Sequence, residues 1–133
     1  MSSRVSDTAT IDALRRQMTI AVAKQVASSG NLANVDTPGY KAKEATVSFS
    51  DALKSRLAQP ANSTFGSTRT SSGSNVSVEM KDVEGLPVRR DGNNVQLDRE
   101  LLNMSRAAGD FSAAQTALAA KFRLVRYAIN EGK

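Results

Sequence analysis

The chain has 133 residues and a formal net charge of +5 at neutral pH, and it contains neither cysteine nor histidine. Without cysteine it has no disulfide, thiol nucleophile or zinc-finger spacing, and without histidine it lacks the commonest general base and transition-metal ligand. Composition alone leaves a carboxylate enzyme or an oxygen-ligand metal site open. Aromatic residues make up only 5% of the chain, so a large core is hard to build and packing on a partner is favoured. We therefore predict no enzyme, with no catalytic residue, no bound metal and no cofactor.

The start of the chain lacks the features of a secretory signal peptide. Residues 1–19 are polar at first and carry charges throughout, with no apolar stretch of the signal-peptide kind. No run approaches the length of about 20 apolar residues that a membrane-spanning helix needs. We therefore expect a protein without a cleaved signal peptide.

An amphipathic helical pattern begins near Ala9 and must end before Pro38, because proline pushes the preceding residue out of the α region. Gly30 weakens the last turns by about 1 kcal/mol relative to alanine. Apolar residues step by threes and fours along the pattern, which is typical of a coiled-coil-like stripe. The contact face predicted for this helix consists of Ile11, Leu14, Met18 and Val22.

Residues 41–90 form a middle segment with weaker patterns. Phe49, Leu53 and Leu57 recur every four residues, which predicts a short helix over 51–58. The stretch after this helix is almost entirely small and polar, so it has little apolar surface to offset the entropy of ordering. We expect this segment to be only weakly structured.

A short strand is predicted where Val76, Val78 and Met80 alternate with polar residues. Its predicted partner is the stretch over residues 85–90, in which Pro87 would confine the strand to a sheet edge. Together the two strands would form a short β-hairpin.

The C-terminal segment, residues 91–133, carries the clearest pattern. It opens with Asp91-Gly92-Asn93-Asn94, a turn sequence, because glycine and asparagine tolerate positive φ. Residues that are apolar except for Gln115 then recur at alternating steps of four and three over 97–129, which predicts a helix about 50 Å long. The contact face predicted for this helix consists of Leu97, Leu101, Met104, Phe111, Leu118, Phe122, Val125 and Ile129.

Charged side chains lie at both ends of this second helix. Asp98 and Glu100 near its start, and Lys121, Arg123 and Arg126 near its end, suit the helix dipole. The two acids are interpreted as first-turn helix acids and not as a catalytic pair, and the simplest interpretation of the cations is that they are solvated. The alternative is that the basic end contacts an acidic partner.

A single helix cannot bury such a stripe, and the N-terminal stripe is its nearest partner. The predicted fold is therefore mainly α, with two long terminal amphipathic helices packed as a coiled-coil-like pair around a weakly structured middle segment. We divide the chain into residues 1–40, 41–90 and 91–133. The pattern alone leaves open whether the helices pair within a monomer or between copies, but the weak middle segment favours assembly.

The end of the first helix carries the most specific motif, Asn31-Leu32-Ala33-Asn34-Val35-Asp36-Thr37-Pro38-Gly39-Tyr40-Lys41. Pro38 fixes φ at the second position of a turn and Gly39 takes positive φ at the third, as a type II turn requires. Asn34 and Asp36 are suited to bond nearby backbone and end the helix, and Tyr40 supplies an amphipathic anchor. The candidate site residues of the motif are Asn31, Ala33, Asn34, Asp36, Thr37, Pro38, Gly39 and Tyr40.

This motif resembles the signature of the flagellar basal-body rod and hook protein family, in which an Ala-Asn-x-x-Thr-Pro-Gly-Tyr core follows an N-terminal helix. The short chain is most similar to the proximal rod members, and the stretch from Gly92 to Leu101 and the C-terminal end also resemble one of them. The resemblance covers both termini, while residues 42–90 contribute little to it.

The resemblance implies a structural subunit of the bacterial flagellum that assembles through its terminal helices and links the membrane ring and export gate to the rest of the rod. It implies type III export without a cleaved signal peptide and a place in the periplasmic rod of the basal body. The implied partners are copies of itself, other rod proteins, the rod adaptor protein, and the membrane ring and export gate proteins. Neither nucleic acid nor a small-molecule substrate is implied. The alternative is a helical adaptor, or binding module, that uses its basic C-terminal helix on an acidic partner.

Overall fold

The computed structural model describes residues 7–47 and 77–130 of the chain. Its elements are helix α1 (Asp7–Ala33), strand β1 (Lys43–Val47), strand β2 (Val78–Asp82) and helix α2 (Leu97–Asn130). The two helices pack on each other, and a two-stranded antiparallel sheet lies beside α1. The predicted fold, mainly α with a packed pair of long helices, is confirmed.

The helices run antiparallel, since the last turn of α1 meets the first turn of α2. Asn31 of α1 donates a hydrogen bond to Glu100 of α2 at 3.0 Å, and further along, Lys24 and Ala107 line the same groove. If this antiparallel pairing of Asn31 with Glu100 continues along both helices, Asp7 at the start of α1 lies beside Leu124. The last residues of α2 therefore extend beyond the first described turn of α1.

Small residues line the seam between the helices. Ala21 and Ala27 of α1 and Ala107 and Ala114 of α2 are all at most 7% exposed. Ala107 and Ala114 lie seven and fourteen residues after Glu100, which is also buried, so these three positions share one face of α2. Alanine lets two helix backbones approach closely but removes little apolar area from water. The hydrophobic core of the helix pair is therefore small.

The sheet is only partly as predicted. β2 confirms the strand expected around Val78, but the predicted partner is wrong, because residues 85–90 contain no strand and β2 pairs with β1 instead. Gly85, at a φ of 77°, turns the chain away after β2, and the Arg89 N–H is bonded within the turn that follows. β1 offers a better partner because Ala45, at its centre, is buried.

The helix boundaries follow the sequence closely. α1 starts at Asp7, close to the predicted Ala9, runs through Gly30 and ends well before Pro38. The predicted helix over 51–58, with Phe49, Leu53 and Leu57, lies outside the described residues. Among the residues that are described, no helix combines the length and hydrophobicity needed to cross a membrane.

Candidate assembly site

Four asparagine side chains join the end of α1 to the segment that precedes α2. They are Asn31, Asn34, Asn93 and Asn94, and we call them the asparagine hub. Asn31 and Asn93 have no solvent exposure at all, and Asn94 is also buried. A buried amide costs free energy unless its hydrogen-bonding groups are paired, so the contacts of these side chains decide whether the hub is stable.

Asn31 uses both of its amide hydrogens and both lone pairs of its oxygen. Its Nδ2 donates to the carbonyl oxygen of Lys43 at 2.8 Å and to Oε2 of Glu100 at 3.0 Å. Its Oδ1 accepts from the backbone N–H of Lys43 at 2.8 Å and from the hydroxyl of Tyr40 at 3.3 Å. One side chain of α1 thus bonds to β1, to the turn and to the first turn of α2.

Asn93 holds the chain that leaves α1. The two hydrogens of its Nδ2 are shared among three acceptors, the carbonyl oxygens of Asn34, Val35 and Thr37 at 2.9, 3.2 and 2.8 Å. Its Oδ1 accepts from the backbone N–H of Val95 at 2.7 Å. The side chain therefore satisfies carbonyl groups just past the helix end, where the regular helical bonds stop.

The other two asparagines bond to backbone on either side of these contacts. Oδ1 of Asn94 accepts from the N–H of Ala42 at 2.6 Å, and its Nδ2 donates to the carbonyl of Val83 at 3.3 Å, so it ties both strands to the start of α2. Nδ2 of Asn34 donates to a carbonyl one turn back in α1 at 2.9 Å, as predicted, and its Oδ1 accepts from the Thr37 hydroxyl at 3.1 Å.

The Thr-Pro-Gly-Tyr segment forms the predicted turn. The Tyr40 N–H donates to the Thr37 carbonyl at 3.3 Å, and Gly39 has a φ of 73°. The Gly39 N–H donates in turn to the Asp91 carbonyl at 2.8 Å. Gly92, at a φ of 83°, packs against this turn so closely that a Cβ on it would lie 3.3 Å from the Cα of Gly39. Glycine at position 92 therefore serves both its positive φ and the close approach of two backbones.

Glu100 has a role that the sequence did not show. It lies in the first turn of α2 together with Asp98, as predicted, but it is only 2% exposed and accepts a hydrogen bond from Asn31. A buried carboxylate requires such a donor. An acid in the first turn of a helix is usually explained by the dipole alone, so the pattern gave no reason to look for more.

The remaining motif residues contribute in other ways. Ala33, Asp36 and Pro38 are exposed, so their side chains lie outside the hub. The hub residues that sequence reasoning missed are Asn93 and Asn94, which were interpreted as turn residues with positive φ. Among the described residues only glycines have positive φ, and the two asparagines act through their side chains instead.

The apolar stripe predicted on α2 is only partly covered by α1. Met104, Phe111 and Leu118 are half-buried towards α1. The remaining five predicted contact residues are 40–69% exposed, and we call them together the outer face of α2: Leu97, Leu101, Phe122, Val125 and Ile129. Leu101, Phe122 and Ile129 lie on the neighbouring line of the helix, whereas Leu97 and Val125 continue the half-buried line at its two ends.

The contact face predicted for α1 is mostly used within the pair. Ile11, Leu14 and Met18 are half-buried, while Val22 is exposed. Near the end of α2, Leu124 and Tyr127 are also exposed, so apolar groups surround the part of α2 that extends beyond α1. Contiguous exposed apolar surface of this kind marks interaction sites.

Charged groups of the described residues line one groove and form an ion pair at its edge. A groove of about 250 Å³ between the helices and the sheet is lined by both signs of charge, including Lys24, Arg106 and Asp110. In the ion pair at its edge, Arg99 and Glu44 are 3.9 Å apart and Glu44 is exposed, so the pair adds little stability. Within residues 7–47 and 77–130, no cluster of three or more acidic side chains is arranged to hold a metal ion.

The structure is a small helix pair with the polar hub at one end and an exposed apolar face along α2. This defines the class of the protein: a helical protein with an apolar surface on which other helices can pack. No protein-family model matches the chain. The chain is similar to the flagellar basal body rod protein FlgB of Bacillus subtilis (strain 168), with 29% identity over 127 residues, which cover 93% of this chain and 95% of that protein. The resemblance predicted from the motif at the end of α1 is thereby confirmed, and it extends over nearly the whole chain.

Proposed function

We propose that the protein is a structural subunit of the proximal rod of the bacterial flagellar basal body. The observation that carries the proposal is the outer face of α2, where five large apolar side chains remain exposed although the helix is packed on α1. The similarity to a rod protein over 93% of the chain supports the rod as the place where this face is covered.

The outer face has the spacing that packing between helices needs. Leu101, Phe122 and Ile129 are separated by multiples of seven residues, so they form one line along α2. Fully burying such a side chain contributes about 1.5–3 kcal/mol, and roughly half of each is still exposed, so about 1 kcal/mol per side chain remains available. The whole outer face therefore offers several kcal/mol to contacts with neighbouring subunits.

The proposed role is mechanical. Neighbouring helices cover the outer face of α2, the turn at Pro38 and Gly39 directs the chain away from the helix pair, and the hub keeps both helices in one arrangement. Within the rod, the subunit would link the membrane ring and export gate to the rest of the rod, and its partners would be copies of itself, other rod proteins and the rod adaptor protein. It would reach the periplasm by type III export without a cleaved signal peptide, and it would catalyse no reaction.

The alternative is a helical adaptor that binds an acidic partner through the basic end of α2. Arg123 and Arg126 are exposed there, but the same turns expose Leu124 and Tyr127, which an electrostatic contact does not require. The alternative predicts binding to anionic vesicles or nucleic acid that falls steeply with salt, because counterions are released on binding. The rod proposal predicts no such complex.

Electron microscopy of basal bodies isolated from variant cells tests the proposal. If the gene is cut to end at Asn94, we expect the rings to remain and the rod to be missing, because the variant lacks α2. Phe122→Asp should give the same result without removing a helix, since it puts a charge on the outer face. Ala120→Asp is its matched control, because Ala120 is exposed on the opposite side of α2. Normal rods in both the truncated variant and Phe122→Asp would contradict the proposal.

A further inference from the structure

The two-stranded sheet has one edge that the rest of the molecule covers. The Val83 N–H donates to the Ala42 carbonyl at 2.8 Å, so the backbone groups of these two residues face each other. Because backbone groups alternate in direction along a strand, those of Lys43 and Ala45 point to the other edge of β1. There the N–H and the carbonyl of Lys43 bond to Asn31 of α1, and Ala45 is buried. The outer edge of β1 therefore faces α1.

The outer edge of β2, on the side of the sheet away from α1, is open. By the same alternation, the backbone groups of Val78, Met80 and Asp82 point away from β1. Among the described residues, none bonds to these outward groups. The side chains of Met80 and Asp82 are exposed, and so are those of Glu79 and Lys81 between and beside them. Unpaired, accessible backbone groups at a sheet edge are a template for a further strand.

The charges along β2 match those of a second β2 in one register. Antiparallel pairing centred on Met80 places Glu79 of each copy opposite Lys81 of the other copy, and opposite charges stabilise such cross-strand pairs. A slip of two residues, which keeps the outward backbone groups facing each other, brings Glu79 opposite Glu79 in one direction and Lys81 opposite Lys81 in the other. Like charges directly opposite each other are destabilising. Charges on an edge strand often prevent pairing, but here they favour one register and oppose its neighbours.

The other face of the sheet also suits this register. Met80 is apolar and 46% exposed, although its neighbour across the sheet, Ala45 of β1, is buried. In the register centred on Met80, the two methionines lie opposite each other. Pairing therefore removes apolar area of Met80 from water.

We propose that the open edge of β2 is an interface at which two free copies of this chain pair, β2 against β2 and antiparallel, into one four-stranded sheet. Each pair of outward residues then exchanges two N–H···O bonds. The strand has only five residues, so the contact is small and the dimer forms and separates readily. A two-fold contact closes after two copies and cannot extend into a rod. The pairing therefore belongs to the free subunit and does not depend on the proposed rod function.

Single cysteines report this register, because the chain has no cysteine of its own. In the proposed dimer the two Met80 Cα atoms are about 5.5 Å apart, which a disulfide can span. The two Val78 Cα atoms are about 14 Å apart, which is too far. We expect mild oxidation of the full chain to link Met80→Cys into a dimer at least about tenfold faster than Val78→Cys, the matched control on the same edge. Each rate is divided by the rate of maleimide labelling, because the two positions differ in exposure. Equal ratios would overturn the proposal.

Charge changes in the Met80→Cys background test the register. Glu79→Lys places like charges opposite each other in a dimer of that variant, and so does Lys81→Glu in a dimer of its own, so each alone should link at least about fivefold more slowly. A mixture of the two variants restores opposite charges at both positions, and its mixed dimer should link at least about fivefold faster than either variant alone. If neither change slows the linking, or if the mixture links no faster than its components, the proposal is overturned.

Adding Phe122→Asp separates this proposal from the rod function, because it puts a charge on the outer face of α2 and leaves β2 unchanged. We expect Met80→Cys to link as fast with Phe122→Asp as without it. If Phe122→Asp abolishes the link, the copies meet through α2, and the pairing of β2 is overturned while the rod proposal stands. If the link persists and cells with Phe122→Asp build normal rods, the pairing of β2 stands and the rod proposal loses its support.

Discussion

Replacing Asn93 with alanine tests whether the hub stabilises the fold through that side chain. The side chain has no solvent exposure, donates to the carbonyl groups of Asn34, Val35 and Thr37, and accepts from the N–H of Val95. Asn93→Ala removes all four hydrogen bonds and introduces no clash, so the loss of stability measures what the bonds contribute.

The four bonds are not equal. Each of the three carbonyl groups has a second donor, so it keeps one hydrogen bond in the variant. The Val95 N–H bonds to Asn93 Oδ1 at 2.7 Å, and Val95 is buried, so this group is left without its acceptor. One buried N–H left unpaired costs about 1–3 kcal/mol, and losing shared bonds to the carbonyls adds a smaller amount. We expect Asn93→Ala to lower the free energy of unfolding by about 2–4 kcal/mol.

Urea unfolding followed by circular dichroism, at two protein concentrations to detect association, measures this change. The midpoint should fall while the m-value stays constant, because the area exposed on unfolding hardly changes. Asn130→Ala, at an exposed position near the end of α2, is the control and should change stability by less than about 0.5 kcal/mol. A loss of less than about 1 kcal/mol in Asn93→Ala would refute the estimate, because it is smaller than the cost of one unpaired buried N–H.

Two further predictions concern the turn and the seam. Gly39→Ala should lower the free energy of unfolding by about 1–2 kcal/mol for its positive φ alone. Gly92→Ala should lower it more, because its Cβ would also meet the Gly39 backbone at 3.3 Å. Equal losses of stability in urea unfolding would argue against the close approach. Ala114→Leu should destabilise the helix pair by about 1–3 kcal/mol through overpacking. Ala108→Leu, on the exposed side, should change the stability little. If Ala114→Leu is as stable as the unchanged protein, the helices are not closely packed there.

The parts of the fold that depend on neighbouring residues were predictable. The bounds of the helices follow from the apolar steps and from Pro38, and the type II turn follows from Pro38 and Gly39. In these places the residues that determine the local structure lie within a few positions of it in the sequence. The strand around Val78 was predictable for the same reason, from alternation alone.

The parts that depend on distant contacts were not predictable from pattern. The partner of β2 comes from the other side of residues 48–76, and Asn93 bonds to carbonyl groups 56 to 59 residues earlier in the chain. The hydrogen bond between the end of α1 and the start of α2 joins Asn31 and Glu100, which are 69 residues apart. One signal was available: two adjacent asparagines follow Gly92, in a chain whose motif at the end of α1 already contains two asparagines.

A charge at Phe111 or Leu118 would also be expected to stop assembly, but both side chains are half-buried in the helix pair. Such a variant would disturb the pair as well as any contact with neighbours. The outer face of α2 separates the two effects, because its side chains contribute less to the pair.

The central claim is that the outer face of α2 contacts neighbouring subunits in the rod. Photo-crosslinking in intact basal bodies tests it directly, with a photoreactive amino acid at Phe122 and, as the matched control, at Ala113, an exposed position on another side of α2. We predict that the probe at Phe122 links the protein to a neighbouring rod subunit in high yield and that the probe at Ala113 does so much less. Rods that assemble normally with the probe at Phe122 but give links only from Ala113 would contradict the claim.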